Sequence, residues 1–334
     1  MQQLNLIKPI YSDIGILESC NLKCDMCKMY EIPFLKKEEI IPLERWNFFF
    51  KDMREISGPD FIFNIPGGEP LLHPHVYDII ELASSYGLKP LLSTNASLIT
   101  KNVAEKLIKK GLFAVTISLD SSISKTHDKI RGVEGTFDKV QRAIRYLQFF
   151  SKIYRNEDFN IGVQGVIQKS NLDNIVDLVL YTERHTHIQR INLNLLMKPN
   201  NSKDDENWYK NEFKDLWPDN IEDVESMFDK LIKLKKKNII SKLINSITQL
   251  ESYKVYFKNP KSTPKLVNCN YDKSICTNSS GDIHMCYFYD KIGNLKEDRL
   301  IDVWNSDKAN NIRKKINKCT ITHCWFRLNC LYSD

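Results

Sequence analysis

The sequence predicts an α/β fold, a partial (β/α)6 barrel followed by a small cysteine-rich C-terminal domain. Six strand-like segments alternate with helix-like segments between residues 12 and 197. Polar or glycine-rich stretches follow the second, third and fourth of these strands, and six of the nine cysteines lie after residue 268. Strands that alternate with helices form parallel βα units with right-handed crossovers, and such units curl into a barrel. The chemistry of such a barrel is expected at the C-terminal ends of its strands.

The hydrophobic pattern defines each predicted element. The predicted strands are short apolar segments, at 12–17, 61–65, 89–93, 113–119, 160–167 and 190–197. The predicted helices between them cover 42–56, 74–86, 101–110, 137–150 and 171–185. In the first helix, Leu43, Trp46 and Phe50 recur at a spacing of three or four residues and define one apolar face.

The chain divides into three predicted regions. Residues 1–198 form the barrel, 199–265 a linker loop and an amphipathic helix, and 266–334 the cysteine-rich domain. The stretch 199–206 is polar and turn-rich, which ends the βα pattern. The periodicity of 221–245 then predicts one long amphipathic helix.

Composition restricts the class of protein. The chain has 334 residues, 42% hydrophobic and 27% charged, with a net charge of +6. It contains neither an apolar run that would span a membrane nor a signal peptide, so a cytoplasmic protein without membrane contact is predicted. The lysine-rich stretch 230–237 is interpreted as a solvated helix face, and no nucleic-acid motif is present. An odd number of cysteines without a secretion signal indicates metal binding or catalysis rather than disulfides.

Cys20, Cys24 and Cys27 form the most informative motif, C-x3-C-x2-C in a loop after the first predicted strand. Thiolates are the soft ligands that hold iron–sulfur clusters. Three close cysteines without a fourth indicate a cluster with one open iron. A zinc site and unrelated thiols are the alternatives, although zinc usually needs a matching second pair and the next cysteine is Cys269.

This motif resembles the signature of the radical S-adenosylmethionine (SAM) superfamily. The resemblance implies that the open iron binds the methionine group of SAM. An electron from the cluster then cleaves SAM to methionine and a 5′-deoxyadenosyl radical. The strand ends supply matching segments, namely Pro66-Gly67-Gly68-Glu69-Pro70, Ser93-Thr94-Asn95 and Ser118-Leu119-Asp120 with His127-Asp128-Lys129-Ile130-Arg131-Gly132.

Each segment has an implied role. By the resemblance, Gly67, Gly68 and Glu69 bind the SAM amino group, and Ser93 and Asn95 bind the ribose. Ser118 and Arg131 bind the carboxylate, for which the planar guanidinium is well shaped. The S-L-D…H-D…R-G pattern is similar to that of sulfatase maturases and peptide-modifying enzymes. His127 and Asp128 are expected to be structural.

The C-terminal cysteines form a second set. They are Cys269, Cys276, Cys286, Cys319, Cys324 and Cys330. The G-x4-C step to Cys286 and the C-x5-C step from Cys324 to Cys330 resemble SPASM and twitch domains, which bind auxiliary [4Fe–4S] clusters. The fuller pattern has eight ligands, so two arrangements fit six cysteines: one four-cysteine cluster, or two clusters with three cysteines each. A zinc knuckle is the alternative.

The sequence departs from the maturase pattern after the hairpin cysteine. Sulfatase-maturing relatives place an Asp there as a proposed base, whereas this chain has Tyr287. Oxidation of a peptidyl Ser or Cys by that mechanism is therefore doubtful. Tyr287 is expected to pack beside the cluster.

The predicted function is a radical SAM enzyme that abstracts hydrogen from a carbon of a peptide or protein. An auxiliary cluster assists, and a flavodoxin- or ferredoxin-type protein supplies the electron. The alternatives are a small-molecule dehydrogenase or epimerase of the sugar-alcohol type, and a non-enzymatic zinc or iron–sulfur scaffold. The short segment before Cys20 predicts no separate leader-peptide-binding domain, and no cobalamin domain is expected.

Overall fold

The computed structural model describes residues 7–261, 269–321 and Cys324. Its centre is a row of six parallel strands, which confirms the predicted α/β fold class. The strands are β1 (Tyr11–Ile14), β2 (Ile62–Ile65), β3 (Lys89–Thr94), β4 (Ala114–Ser118), β5 (Asn160–Ile167) and β6 (Arg190–Leu195).

Helices connect these strands. They are α1 (Leu43–Ser57), α2 (Val76–Ser85), α3 (Lys101–Lys109), α4 (Ser124–Arg131), α5 (Thr136–Ile153) and α6 (Ile175–Arg184). The short helix α4 has no counterpart among the predicted elements. It ends at Gly132, whose left-handed backbone conformation closes the helix.

The C-terminal region continues the same sheet. It adds β7 (Ser274–Thr277), β8 (Asp282–His284) and β9 (Gly293–Asn294), followed by α9 (Leu300–Trp304) and α10 (Asp307–Asn317). The strand order is β6-β5-β4-β3-β2-β1-β7-β8-β9. Strand β7 pairs with β1 in parallel, so that Asp13 lies opposite Cys276, and β7 to β9 form antiparallel pairs. The predicted boundary at residue 266 falls outside the described residues.

Polar contacts fix the C-terminal region against the barrel. Arg299 forms an ion pair with the buried Asp52 of α1. Arg45, also on α1, donates hydrogen bonds to the carbonyl oxygens of Leu295 (2.8 Å) and Asp298 (2.7 Å). Loss of Arg299 would leave the buried Asp52 carboxylate without its cation, so these contacts hold α1 against the segment before α9.

The two faces of the barrel sheet differ in polarity. One face is apolar and buried against the helices, with Phe63, Ile65, Leu92, Val115, Ile117, Ile161, Val163 and Ile191. The positions that alternate with these carry polar side chains, namely Asp13, Asn64, Ser93, Thr116, Gln164 and Asn192. Parallel strands in a packed barrel are normally apolar on both faces. Most of these polar residues are partly exposed, so the inner face lines an accessible space.

The predicted helix 221–245 is wrong over its last nine residues. Helix α7 covers Ile221–Lys236, and a separate helix, α8, covers Ile247–Lys258. Asn238 has a left-handed φ of 54°, which ends the first helix. The intervening segment runs beside the edge strand β6, where Ile191 donates to the carbonyl of Lys242 at 2.8 Å. Backbone pairing at an otherwise open strand edge therefore overrides the helical periodicity.

Within the described parts of the chain, we find no helix with the length and apolar character that crossing a membrane requires.

Candidate active site

The cysteine loop follows β1 and brings three thiols together. Cys24 is buried, and Cys20 and Cys27 are partly buried. Burial raises the pKa of all three thiols, and the charge of a neighbouring thiol adds to each rise. Within the described ranges, no three His, Cys, Asp or Glu residues are arranged to hold a single metal ion. A [4Fe–4S] cluster binds each thiolate through a different iron, so its ligands need not converge at one point.

Arg131 supplies a positive charge beside this loop. Its Nη1 lies 3.8 Å from the Cys24 sulfur, and its Nε donates to Asp120 at 2.6 Å. Burial opposes the guanidinium charge, but Asp120 and Cys24 raise the pKa of Arg131 above its ordinary value. Asp120 is fully buried and also accepts from the Val166 amide at 3.0 Å, so the cation is held rigidly.

Gly67 and Gly68 allow the end of β2 to run directly beside the cysteine loop. A Cβ on Gly67 would lie 2.1 Å from the Leu17 carbonyl oxygen, and one on Gly68 would lie 2.2 Å from the Ser19 carbonyl oxygen. The Gly68 amide donates to Leu17 and the Glu69 amide to Ser19, each at 3.0 Å. Only glycine permits this approach.

Glu69 is fully buried and ties the end of β2 to the end of β3. Its carboxylate accepts from the Thr94 hydroxyl (2.8 and 2.9 Å), the Asn95 amide (2.8 Å) and the Leu71 amide (3.1 Å). Burial raises its pKa to about 7 despite these bonds. Hydrogen bonds from protein groups therefore occupy most of the acceptor positions of the Glu69 carboxylate. The sequence had predicted that this carboxylate binds the amino group of SAM.

Asn95 is the second bridge to the cysteine loop. Its Nδ2 donates to Asn21 at 3.0 Å and lies 3.8 Å from the Cys20 sulfur. Ser93 instead donates to Asn64 at 2.7 Å on the inner face of the sheet. Ser118 is buried at the end of β4 and pairs in register with Gln164. The structure thus brings Asn95 and Arg131 against the thiols, and places Ser93 and Ser118 on neighbouring strands.

His127 and Asp128 have structural contacts. The His127 Nδ1 accepts from the Asp120 amide at 3.2 Å. Asp128 accepts from the Gly135 and Phe137 amides and the Thr136 hydroxyl, each at 2.7 Å, and so caps the start of α5.

Sequence reasoning missed a further contact of the cysteine loop. Gln168, directly after β5, donates to the two carboxylate oxygens of Asp25 at 3.2 and 3.0 Å. Burial raises the Asp25 pKa to about 6. Only the position of Gln168 at the end of a predicted strand could have indicated this contact, because the sequence has no recognisable motif there.

The loop after β6 also reaches the cysteine loop. The Lys28 amide donates to the Asn200 carbonyl at 3.2 Å, and Cys27 and Asn200 form an isolated parallel bridge. The stretch 199–206, predicted as a linker or surface loop, therefore covers one side of the cysteine loop.

Four C-terminal thiols converge around Cys286. Burial raises the Cys286 pKa to about 11, and the charges of Cys324, Cys269 and Cys319 add to that rise. Tyr289 lies beside these thiols and forms a hydrogen bond with Cys319. This bond is the main cause that raises the pKa of Tyr289 to about 12. Cys330 lies outside the described residues.

Cys276 occupies a different position. It is fully buried in β7, with its sulfur 4.0 Å from the Met285 carbonyl oxygen, beside Asp13. Cys286 is the thiol whose charge acts on it. Cys276 therefore borders the four-thiol group from the sheet side.

Tyr287 packs against the sheet rather than pointing away from it. Its hydroxyl donates to the Thr277 carbonyl at 3.0 Å. Burial raises its pKa, and the charges of Cys276 and Asp13 add to the rise. A neutral phenol therefore stands at the position after the hairpin cysteine.

Two family models match the chain. The Radical SAM superfamily model covers residues 14–149, and the iron–sulfur cluster-binding SPASM model covers residues 269–329. The first includes the cysteine loop and the ends of β2, β3 and β4. The second includes all six C-terminal cysteines except Cys330.

Several characterised proteins are similar in sequence. An AdoMet-dependent heme synthase from Methanosarcina barkeri (strain Fusaro / DSM 804) is 31% identical over 156 residues, 47% of this chain and 42% of the relative. The Fe-coproporphyrin III synthase of the same organism is 25% identical over 301 residues, 85% of this chain and 71% of the relative. Mycofactocin maturase MftC from Mycobacterium tuberculosis (strain CDC 1551 / Oshkosh) is 31% identical over 147 residues, 42% of this chain and 34% of the relative. The match thus spans less than half of the heme synthase and of MftC.

Solved structures share the fold. Streptococcus suis SuiB aligns with a TM-score of 0.66 at 19% identity, over 92% of this chain and 68% of SuiB. The protein anSMEcpe with bound AdoMet aligns with a TM-score of 0.64 at 19% identity, over 96% and 88%.

The cysteine loop fits the cofactors of this family. Three thiols lie there, the other described cysteines lie in the C-terminal region, and Arg131 offers a cation to a bound anion. The C-terminal region presents a second, four-thiol group. Residues 14–149 therefore form a radical SAM domain and residues 269–329 a SPASM domain, and the cofactors that these domains imply are SAM and [4Fe–4S] clusters.

Proposed function

We propose that this protein cleaves SAM reductively and uses the 5′-deoxyadenosyl radical to abstract a hydrogen atom from a carbon of a peptide or protein. One observation carries the proposal: the ends of β2, β3 and the β4–α4 segment meet at the cysteine loop. Gly68 and Glu69 bond to that loop through their amides, Asn95 approaches Cys20, and Arg131 approaches Cys24.

The residues divide the work as follows. Cys20, Cys24 and Cys27 hold the cluster, which supplies one electron to SAM. The backbone of Gly67 and Gly68, braced by Glu69, would bind the SAM amino group. Further residues complete the SAM site: Ser93 and Asn95 for the ribose, and Ser118 and Arg131 for the carboxylate. A fixed guanidinium suits a carboxylate because it offers two parallel N–H donors.

For the auxiliary site we propose one [4Fe–4S] cluster on Cys269, Cys286, Cys319 and Cys324. The mutual influence of these thiols supports the four-cysteine alternative. Cys276 and Cys330 are then the two remaining cysteines. The cluster accepts or relays an electron, or positions the substrate.

The physiological partners follow from this chemistry. A flavodoxin- or ferredoxin-type protein supplies the reducing electron. A cytoplasmic location suits cysteines that must remain reduced before they bind iron.

A peptide substrate is supported by the S-L-D…H-D…R-G segment and by the match to a mycofactocin maturase. A tetrapyrrole is the second candidate. It is favoured by one observation, the match to an Fe-coproporphyrin III synthase over 301 residues that span both domains.

The test is anaerobic reconstitution with iron and sulfide, followed by reduction in the presence of SAM. We expect 5′-deoxyadenosine and methionine in equal amounts by liquid chromatography. Peptides encoded beside the gene, or an iron tetrapyrrole with its carboxylates intact, are then added. The substrate class is the one whose mass changes during the reaction. Protein with a full cluster content that yields no 5′-deoxyadenosine would refute the proposal.

A further inference from the structure

Arg190 has an unusual position for a charged residue. It opens β6, and its side chain crosses the inner face of the sheet toward β5 and β4. Its Nη1 donates to Asn160 at 2.6 Å, and its Nη2 donates to Thr116 at 3.1 Å. The residue is only partly exposed, so its guanidinium lies against the polar inner face of the barrel.

Gly162 on β5 makes this position possible. A Cβ on Gly162 would lie 2.7 Å from the Arg190 Nε and 2.9 Å from its Cγ. Glycine within a strand weakens the strand and commonly marks a close approach by another group. Here the approaching group is the arginine itself, which lies against the sheet at a position that has no side chain.

The charge of Arg190 has only neutral partners in the described parts of the chain. Arg131 is paired with Asp120 and Arg299 with Asp52, whereas Arg190 contacts one amide oxygen and one hydroxyl. Burial alone acts on its pKa, which it lowers. Charges that leave water are normally paired, because an unpaired one is costly.

Two of its five N–H groups have partners among the described residues, so three can bind a further acceptor. Thr116 precedes Ser118 by two residues, which places the guanidinium about 7 Å below the end of β4. Gln164 and Asn192, paired in register on the same face, line the neighbouring strands. The unused N–H groups of Arg190 thus lie on the inner face of the barrel, two residues before the end of β4.

We propose that Arg190 binds a carboxylate group of the substrate inside the barrel. The inference rests on the proposed function, since it takes the strand ends as the place where hydrogen is abstracted. It adds that the reacting carbon lies within a few bonds of an anion. The acidic side chain or C-terminus of a peptide and the propionate of a tetrapyrrole share this chemistry.

The first experiment asks whether Arg190 binds carboxylates at all. Thermal unfolding of the reconstituted holoenzyme is measured in sodium acetate and in sodium chloride at equal ionic strength. Acetate at about tenfold its Kd should raise the wild-type midpoint by about 2 °C. Arg190→Met should abolish that response, and Gly162→Ala should abolish it too by displacing the guanidinium. Arg142→Met, on the exposed side of α5, should retain it.

The overturning result is equally specific. If acetate raises the midpoint of wild type and Arg190→Met by the same amount, or of neither, Arg190 is a structural residue held by Asn160 and Thr116. Failure of the proposed function is a separate outcome. Wild type that responds to acetate through Arg190 but forms no 5′-deoxyadenosine would keep the anion site and reject the radical chemistry.

A competition experiment identifies the source of the carboxylate. Coproporphyrin III, an acidic peptide and the same peptide with its carboxylates amidated are titrated into wild type and Arg190→Met. The natural class should bind wild type at least tenfold more tightly than the variant, and the amidated peptide should not distinguish them. Equal binding of every probe to both proteins would refute the assignment.

Discussion

The two cysteine sites of this enzyme are built in opposite ways. The barrel site takes Cys20, Cys24 and Cys27 from one loop of eight residues, whereas the C-terminal group draws Cys269, Cys286, Cys319 and Cys324 from separate segments. The barrel site has a cation, Arg131, against one thiol and an amide, Asn95, near another. The charges that act on Cys286 are those of other thiols.

This difference indicates different tasks. A thiol loop with a fixed cation and a donor amide beside it is equipped to hold an anionic ligand together with a cluster. A group of four thiols drawn from separate segments is equipped to enclose a cluster with protein ligands alone. The barrel site therefore suits SAM chemistry, and the C-terminal site suits an electron-transfer or structural cluster.

We expect the largest difference between the two sites when Cys20, Cys24 and Cys27 are replaced together by Ala. The change should remove about four of about eight iron atoms per chain and all formation of 5′-deoxyadenosine. Iron analysis and product chromatography measure both. The control is the matched replacement of Cys286, which should leave SAM cleavage detectable. Stoichiometric zinc without cluster absorption in wild type would contradict the assignment.

Single replacements within the C-terminal region test which thiols form the cluster. Cys286→Ala should lose about four iron and the substrate product, while uncoupled SAM cleavage persists. Cys276→Ala should keep its iron, because that thiol lies beneath the group in β7. The converse pattern, with iron lost from Cys276→Ala and kept in Cys286→Ala, would assign the cluster to the sheet side.

Glu69→Ala addresses the bracing of the barrel site. The loss of a charge-assisted hydrogen-bond centre costs about 1.5–3 kcal/mol, so SAM affinity should fall by roughly 10–150-fold. Iron content should remain intact, since the Glu69 carboxylate accepts hydrogen bonds from Thr94, Asn95 and Leu71 and not from a thiol. Calorimetric titration with SAM measures the effect. An unchanged affinity would mean that Gly67-Gly68-Glu69 is only a turn.

The smallest expected effect concerns His127, which braces Asp120 and thereby Arg131. Burial lowers its pKa to about 4, from about 6.5 in the unfolded chain. Because the unfolded state gains a proton first, the stabilisation is complete above pH 6.5 and is lost as pH falls toward 4. Between pH 6.5 and 5.5 the loss should be about 1 kcal/mol.

Denaturant unfolding at both pH values measures this loss. His127→Asn should show a shallower dependence on pH than wild type. Parallel pH dependences in wild type and His127→Asn would show that another group is responsible.

Much of the barrel follows from the chain itself. Alternating apolar and amphipathic segments predict the six strands and five of their helices, because each element shows its buried face as a local periodicity. The cysteine spacing and Gly67-Gly68 predict the SAM site for a similar reason. The function of these residues depends on their near neighbours in sequence, so the local spacing is enough to indicate it.

The tertiary structure decided what depends on distant partners. The segment after α7 pairs with β6 instead of continuing as a helix, since an open strand edge offers it backbone hydrogen bonds. The carboxylate of Glu69 is engaged by Thr94 and Asn95 of β3, which no local pattern predicts. The four-thiol group and the position of Arg190 over Gly162 arise only when segments separated in sequence lie side by side. Sequence periodicity records which face of an element is buried, and the folded sheet determines which side chains meet there.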